Sequence, residues 1–115
     1  MRGIDRVFGW LLVLGGVGHG AGSYQAFKSA PGSLLWALSA SFAMWMLAAI
    51  NLLRAERRGD RALSAISLAG CLIWFAFVLW FGRILGNFFD FRVWVNLAIA
   101  GVLAIFSARS LARAA

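Results

Sequence analysis

The sequence has very few of the residues from which disulfides, metal sites and catalytic sites are built. Only four residues are acidic, and cysteine, proline and histidine occur once each. The lone Cys71 cannot form an intrachain disulfide or a multi-cysteine metal site. The lone His19 has no acid in its apolar surroundings with which to complete a catalytic triad or a metal cluster. The sequence therefore predicts neither catalytic residues nor a metal site and argues against an enzyme.

Apolar residues, by contrast, are abundant. They make up 63% of the 115 residues, and charged residues only 13%, whereas soluble domains have about 45–50% apolar and about 25% charged residues. A soluble domain of this size buries too little of its surface to hide so much apolar area. The composition therefore predicts one integral membrane domain whose first partner is the lipid bilayer.

Four apolar runs are each long enough to cross a bilayer as a helix, which takes about 20 residues. They cover residues 7–27, 33–53, 62–85 and 91–111. The breaks between them are short, so consecutive helices should be antiparallel neighbours. The predicted fold is an all-α, antiparallel four-helix transmembrane bundle.

The breaks contain residues that begin and end helices. After Pro31, Ser33 is the predicted N-cap of the second helix. Gly59 suits a left-handed turn after that helix, and Asp60 suits the N-cap of the third. Gly86 and Asp90 are expected to play the same two roles in the last break.

The basic residues predict the orientation. If all four runs span, the N-terminus, the second break and the C-terminus share one side. That side holds Arg2, Arg6, Arg54, Arg57, Arg58, Arg61, Arg109 and Arg113, and the other holds Lys28, Arg83 and Arg92. Eight against three predicts both termini in the cytoplasm and a location in the cytoplasmic (inner) membrane. Because these residues flank apolar runs, the net charge of +7 indicates lipid headgroups and not nucleic acid. No small-x-small cleavage site follows Arg2 and Arg6, so the first run is expected to be retained.

The most informative stretch is the glycine-rich segment 15–23 around His19. His19 lies about 18 Å along the first helix from Val7, deep in the predicted span, where ionisable residues are functional candidates. The glycines provide a helix-packing face of small-xxx-small type. Its members are Gly15, Gly16, Gly18, Gly20 and Gly22.

Three roles for His19 follow from its chemistry. It could ligate a haem or chlorophyll-type cofactor, with Gly15 leaving room one turn away. It could carry protons, since histidine titrates near neutral pH. It could be structural, with Ser39, Ser41 or Asn96 as its hydrogen-bond partner on another helix. The sequence does not identify a cofactor.

Two further groups are candidates for ligand contact. Ser41 and Asn96, with Ser67 or Asn51, could line a polar pathway with His19, or these residues could simply join helices. The outer loop carries Arg83, Asn87 and Asp90 among phenylalanines. It could form a lid over a site whose floor is His19, or could cap the last helix and dip into the interface.

The function predicted from these features is a non-enzymatic packing or accessory subunit. It would form a homo-oligomer or dock on a larger membrane complex through the glycine face. The alternatives are a small-solute carrier or channel, and a cofactor-binding subunit that uses His19.

Overall fold

A computed structural model of the chain describes residues 2–114, which form four helices and no strand. Each predicted apolar run lies inside one helix. The helices are α1 (Arg2–Phe27), α2 (Pro31–Glu56), α3 (Arg61–Leu85) and α4 (Phe91–Ala114). Both α1 and α2 extend past their apolar runs into polar sequence, which makes Asp5 and Arg54 helical residues.

The turn residues at two of the three breaks match the sequence prediction. The Asp60 carboxylate accepts a hydrogen bond from the backbone N–H of Leu63 at 3.0 Å, which caps α3. Gly59 and Gly86 have φ of 86° and 69°, in the left-handed region where glycine is favoured. The predicted cap at Ser33 is wrong. Helix α2 begins at Pro31, whose fixed φ suits the first turn, so Ser33 already lies within the helix.

Asp90 caps α4 as predicted. Its Oδ1 accepts from the backbone N–H of Arg92 at 3.0 Å, and the Arg92 guanidinium donates to both carboxylate oxygens. The side-chain hydrogen bond from Arg92, followed by the backbone one, lowers the pKa of Asp90. The carboxylate is therefore charged at neutral pH, where it also complements the positive end of the helix dipole.

Helices α1 and α2 run antiparallel in contact along their length. A Cβ added to Gly9 would lie 2.7 Å from Leu52, and one added to Gly20 would lie 3.2 Å from Ser41. These two contacts lie near opposite ends of α1, so the small residues of this face let the two backbones approach closely.

Helices α3 and α4 form the second antiparallel pair. The Ser67 and Ser107 hydroxyls are 2.7 Å apart, and at the other end a Cβ on Gly82 would lie 3.0 Å from Val93. Between the two pairs lies an apolar core. It consists of Leu12, Met44, Leu47, Ala48, Cys71, Ile99 and Leu103.

The outer surface of the bundle is apolar. Large side chains such as Trp36 (75% exposed), Ile84 (72%) and Phe89 (90%) point away from the protein, whereas soluble proteins rarely expose large contiguous apolar patches. Three helices, α2, α3 and α4, are long and apolar enough to span a membrane. Helix α1 is not among them, because seven of its 26 residues are glycine and add little apolar surface.

Candidate functional site

A buried ion pair joins the first turns of α1 to the last turns of α2. Arg54 donates to both oxygens of the Asp5 carboxylate, at 2.7 and 2.8 Å. The side chains are 0% and 9% exposed. A bidentate arginine–carboxylate pair fixes orientation as well as charge. In a low-dielectric interior each charge compensates the other, because burying either one alone would cost much free energy.

The other donors of Arg54 are satisfied as well. Its Nε donates to Ser67 Oγ at 3.2 Å, and its terminal nitrogens donate to Ser110 Oγ at 3.2 Å and Asn51 Oδ1 at 3.0 Å. With the two bonds to Asp5, all five N–H groups of the guanidinium have acceptors. The side chain is therefore held in one position by residues from all four helices.

Around the ion pair the hydrogen bonds continue into the apolar core. The Ser67 hydroxyl donates to Asn51 Oδ1 at 2.9 Å and lies 2.7 Å from the Ser107 hydroxyl. Asn51 Nδ2 donates to the carbonyl of Leu47 at 3.0 Å and contacts Cys71 Sγ at 3.4 Å. We call this set the polar cluster. Its members are Asp5, Asn51, Arg54, Ser67, Cys71, Ser107 and Ser110.

The sequence interpretation included Asn51 and Ser67 as polar residues of the helices, but it missed the ion pair beside them for an identifiable reason. It counted Arg54 as a loop cation, which is wrong because Arg54 lies in the last turns of α2, and it began the first apolar run at Val7, which left Asp5 out. The apolar face of α2 continues through Asn51 and Arg54 at helical spacing, and Asp5 lies one turn before Gly9 on the buried face of α1. If the helical periodicity had been extended beyond the apolar runs, it would have placed Asp5 and Arg54 on the buried faces of their helices.

A cavity of about 400 Å³ opens at the end of the bundle beside the ion pair. We call this the arginine end, because five arginines line the cavity with Asp5 as the one acid among the described lining residues. These arginines are Arg2, Arg54, Arg58, Arg109 and Arg113. The volume is within the range of small-molecule sites, about 300–1,000 Å³.

His19 lies far from this cavity, on an exposed part of α1. Its Nε2 is 3.0 Å from the backbone carbonyl of Ala37 and 3.5 Å from Ser23 Oγ. Because a carbonyl oxygen can only accept, Nε2 carries the proton in this contact. The predicted partners Ser39, Ser41 and Asn96 make no hydrogen bond to His19 within residues 2–114.

Of the predicted polar pathway, Ser67 donates to Asn51 Oδ1 at 2.9 Å. No hydrogen bond joins either of these residues to His19, Ser41 or Asn96 in the part of the chain that the structure describes. Ser41 is buried against Gly20, and its hydroxyl has no partner there. Asn96 donates back to the carbonyl of Arg92 at 2.7 Å, while its Oδ1 is buried without a partner among the same residues. No hydrogen bond links either residue to His19.

The glycines of α1 divide between two faces. Gly16 packs on Trp45 and Gly20 on Ser41, and Gly15 lies near Met44, all from α2. A Cβ added to Gly18 or Gly22 would meet nothing within 4 Å. The first face thus holds the bundle together, and the second lies on its outer surface.

The outer loop is built from local contacts. Asn87 Oδ1 accepts from the backbone N–H of Phe89 at 3.0 Å, and Asp90 binds Arg92. Arg83 is exposed at this end. None of these side chains forms a hydrogen bond with His19 within residues 2–114, so the contacts support the capping role of the loop and add nothing for a lid.

No family model, curated protein or solved structure matches this chain. Within residues 2–114 there is also no group of three histidine, cysteine or acidic side chains placed to hold a metal ion. Any function must therefore be argued from the chemistry of the bundle itself.

Proposed function

We propose that the chain is a non-enzymatic protein of the cytoplasmic membrane that crosses the bilayer four times. It acts as a packing or accessory subunit, in a homo-oligomer or on a larger membrane complex. The observation that carries this proposal is the distribution of side chains. Charged and polar groups such as Arg54, Asp5 and Ser67 are buried, while large apolar side chains cover the outside. This arrangement is stable when the solvent around the helices is lipid.

Helix α1 crosses with the others in this proposal, although it is the least apolar helix. It packs antiparallel against α2 from Gly9 to Gly20, so a bilayer that surrounds α2 also surrounds α1. The exposed glycine face of α1 offers little apolar surface to lipid, and contact with another helix covers it, since small residues favour helix association in lipid.

The arginine end faces the cytoplasm. Arg54 is neutralised by Asp5, so it no longer counts as a free loop charge. Seven basic residues still remain at this end, against Lys28, Arg83 and Arg92 at the other. This asymmetry across short loops supports the predicted orientation of both termini.

Neither alternative function gains support from the bundle. A carrier needs a polar path, but the apolar core around Leu12 and Met44 separates the polar cluster from Ser41 and Asn96. Cofactor ligation through Nε2 of His19 would require breaking its contact with the Ala37 carbonyl. We therefore favour the packing role over both.

The outward glycine pair provides the test of the oligomer. We expect Gly18→Leu/Gly22→Leu to reduce the oligomeric mass of the protein in nanodiscs, because leucines would hold the two helices apart. The matched control is Ala65→Leu/Ala69→Leu, an exposed pair on α3 with the same spacing. An oligomeric mass that is unchanged by the glycine substitutions would rule out this face as the contact between copies.

A further inference from the structure

The cavity at the arginine end is lined by more arginines than the neighbouring carboxylates pair with. The Asp5 charge is matched by Arg54 at 2.7 Å, and Glu56 binds Arg2 and Arg6 at 3.3 and 3.2 Å. No carboxylate within residues 2–114 forms an ion pair with the remaining cavity arginines. These are Arg58, Arg109 and Arg113.

These three side chains come from different parts of the chain and converge on one cavity. Arg58 lies in the turn between α2 and α3, while Arg109 and Arg113 lie one turn apart on α4. On the same face of α4, Phe106 lies under the Arg109 guanidinium at 6.0 Å. Several like charges around one space repel each other, and an anion between them would relieve that repulsion.

A hydroxyl donor also faces the cavity. Ser110 Oγ accepts from Arg54 at 3.2 Å, and it donates to no acceptor among the described residues. Its O–H is therefore available to a ligand. Arg54, which the polar cluster holds in one position, lines the bottom of the cavity. Its hydrogen bond to Ser110 Oγ fixes the position of that hydroxyl.

We propose that this cavity binds a phosphate group. A phosphate offers several acceptor oxygens, which match the paired N–H donors of more than one arginine and a hydroxyl. The source is either the headgroup of an anionic phospholipid or a soluble phosphate. A lipid source rests on the membrane placement proposed above. Basic pockets at the cytoplasmic ends of transmembrane helices lie level with lipid phosphates.

The test compares two phosphate sources using the intact protein. For the lipid, the protein is purified from bilayers of equal phosphatidylglycerol and phosphatidylcholine, and the retained lipids are counted by native mass spectrometry. For the soluble source, inorganic phosphate is titrated calorimetrically into the protein in a zwitterionic detergent. The variant is Arg109→Gln/Arg113→Gln, and the matched control is Lys28→Gln/Arg83→Gln, which removes the same charge at the opposite end.

The wild type and the control should bind one of the two probes, and the variant should lose about tenfold or more of that affinity, as expected for lost charge-assisted contacts. Preferential retention of phosphatidylglycerol identifies a lipid headgroup, and heat from inorganic phosphate identifies a soluble source. Binding of neither probe, or equal losses in variant and control, would overturn the phosphate site. Recovery of the protein outside the membrane fraction would contradict the membrane placement instead, and the inorganic phosphate titration would still decide the site.

Discussion

Asp5→Ala is expected to lower the free energy of unfolding by about 3–5 kcal/mol, because it leaves the Arg54 charge buried without a partner. Arg54 is fully buried and donates twice to Asp5. Unfolding in detergent, followed by helical circular dichroism, measures the loss. Arg54→Met should be similarly damaging, because it strands the carboxylate. The double variant Asp5→Ala/Arg54→Met should regain most of the stability, since it removes both charges together.

The control for this cycle is Glu56→Ala. Glu56 forms ion pairs with Arg2 and Arg6 at the same end of the bundle, but its side chain is 48% exposed. Exposed pairs contribute about 0–1 kcal/mol, so this variant should remain close to the wild type. If Asp5→Ala were no more damaging than Glu56→Ala, the buried ion pair would not be a major element of the fold.

Gly16→Leu should lower the stability by about 1–3 kcal/mol or more, as expected for overpacking at a tight contact. A Cβ at this position would lie 2.5 Å from the Trp45 indole nitrogen, which donates to the Val13 carbonyl at 3.1 Å. The indole would have to move and would lose that hydrogen bond. Thermal unfolding in detergent measures the effect.

Gly18→Leu is the matched control for this substitution. It makes the same change two residues further along, where nothing lies within 4 Å of the new Cβ. The packing within one bundle should be unaffected, and the effect of this variant should appear only in the oligomeric mass. Equal destabilisation by both substitutions would contradict the assignment of the two glycine faces.

Features that depend on local sequence were predicted well. The Asp60 cap and the left-handed Gly59 are fixed by a few neighbouring residues, so the sequence alone is sufficient to find them. The predicted N-cap at Ser33 also rested on local sequence and was wrong, because Pro31 provides a first helical turn that needs no serine cap.

The ion pair could not be found by the same reasoning. Asp5 and Arg54 are far apart in the chain, and they meet only because α1 and α2 run antiparallel. Counting basic residues treats every arginine next to an apolar run as a surface charge, so Arg54 was assigned to a loop. The number of donors and acceptors around it becomes visible only when four helices are packed together.

For the glycine-rich segment, the sequence identified the residues but not the surface that each of them faces. The composition of this segment indicates close contact with another surface, but composition does not reveal which glycine faces which surface. Gly16 and Gly20 pack on α2, while Gly18 and Gly22 point outward. In the structural role considered for His19, its partner was a side chain on another helix, yet its contact on α2 is the Ala37 backbone carbonyl. A sequence pattern does not indicate backbone partners.

The most direct test of the membrane proposal is the side on which reporters appear. An N-terminal fusion and an insertion at Gly59 should both report the cytoplasm, whereas an insertion at Asn87 should report the outer side. This result is expected if four helices span and the excess of basic residues at the arginine end, seven besides Arg54 against three at the other end, holds that end inside. If α1 did not cross, the N-terminal fusion and Gly59 would report opposite sides. That outcome would contradict the four-span arrangement, and an outer-side signal from Gly59 would contradict the orientation.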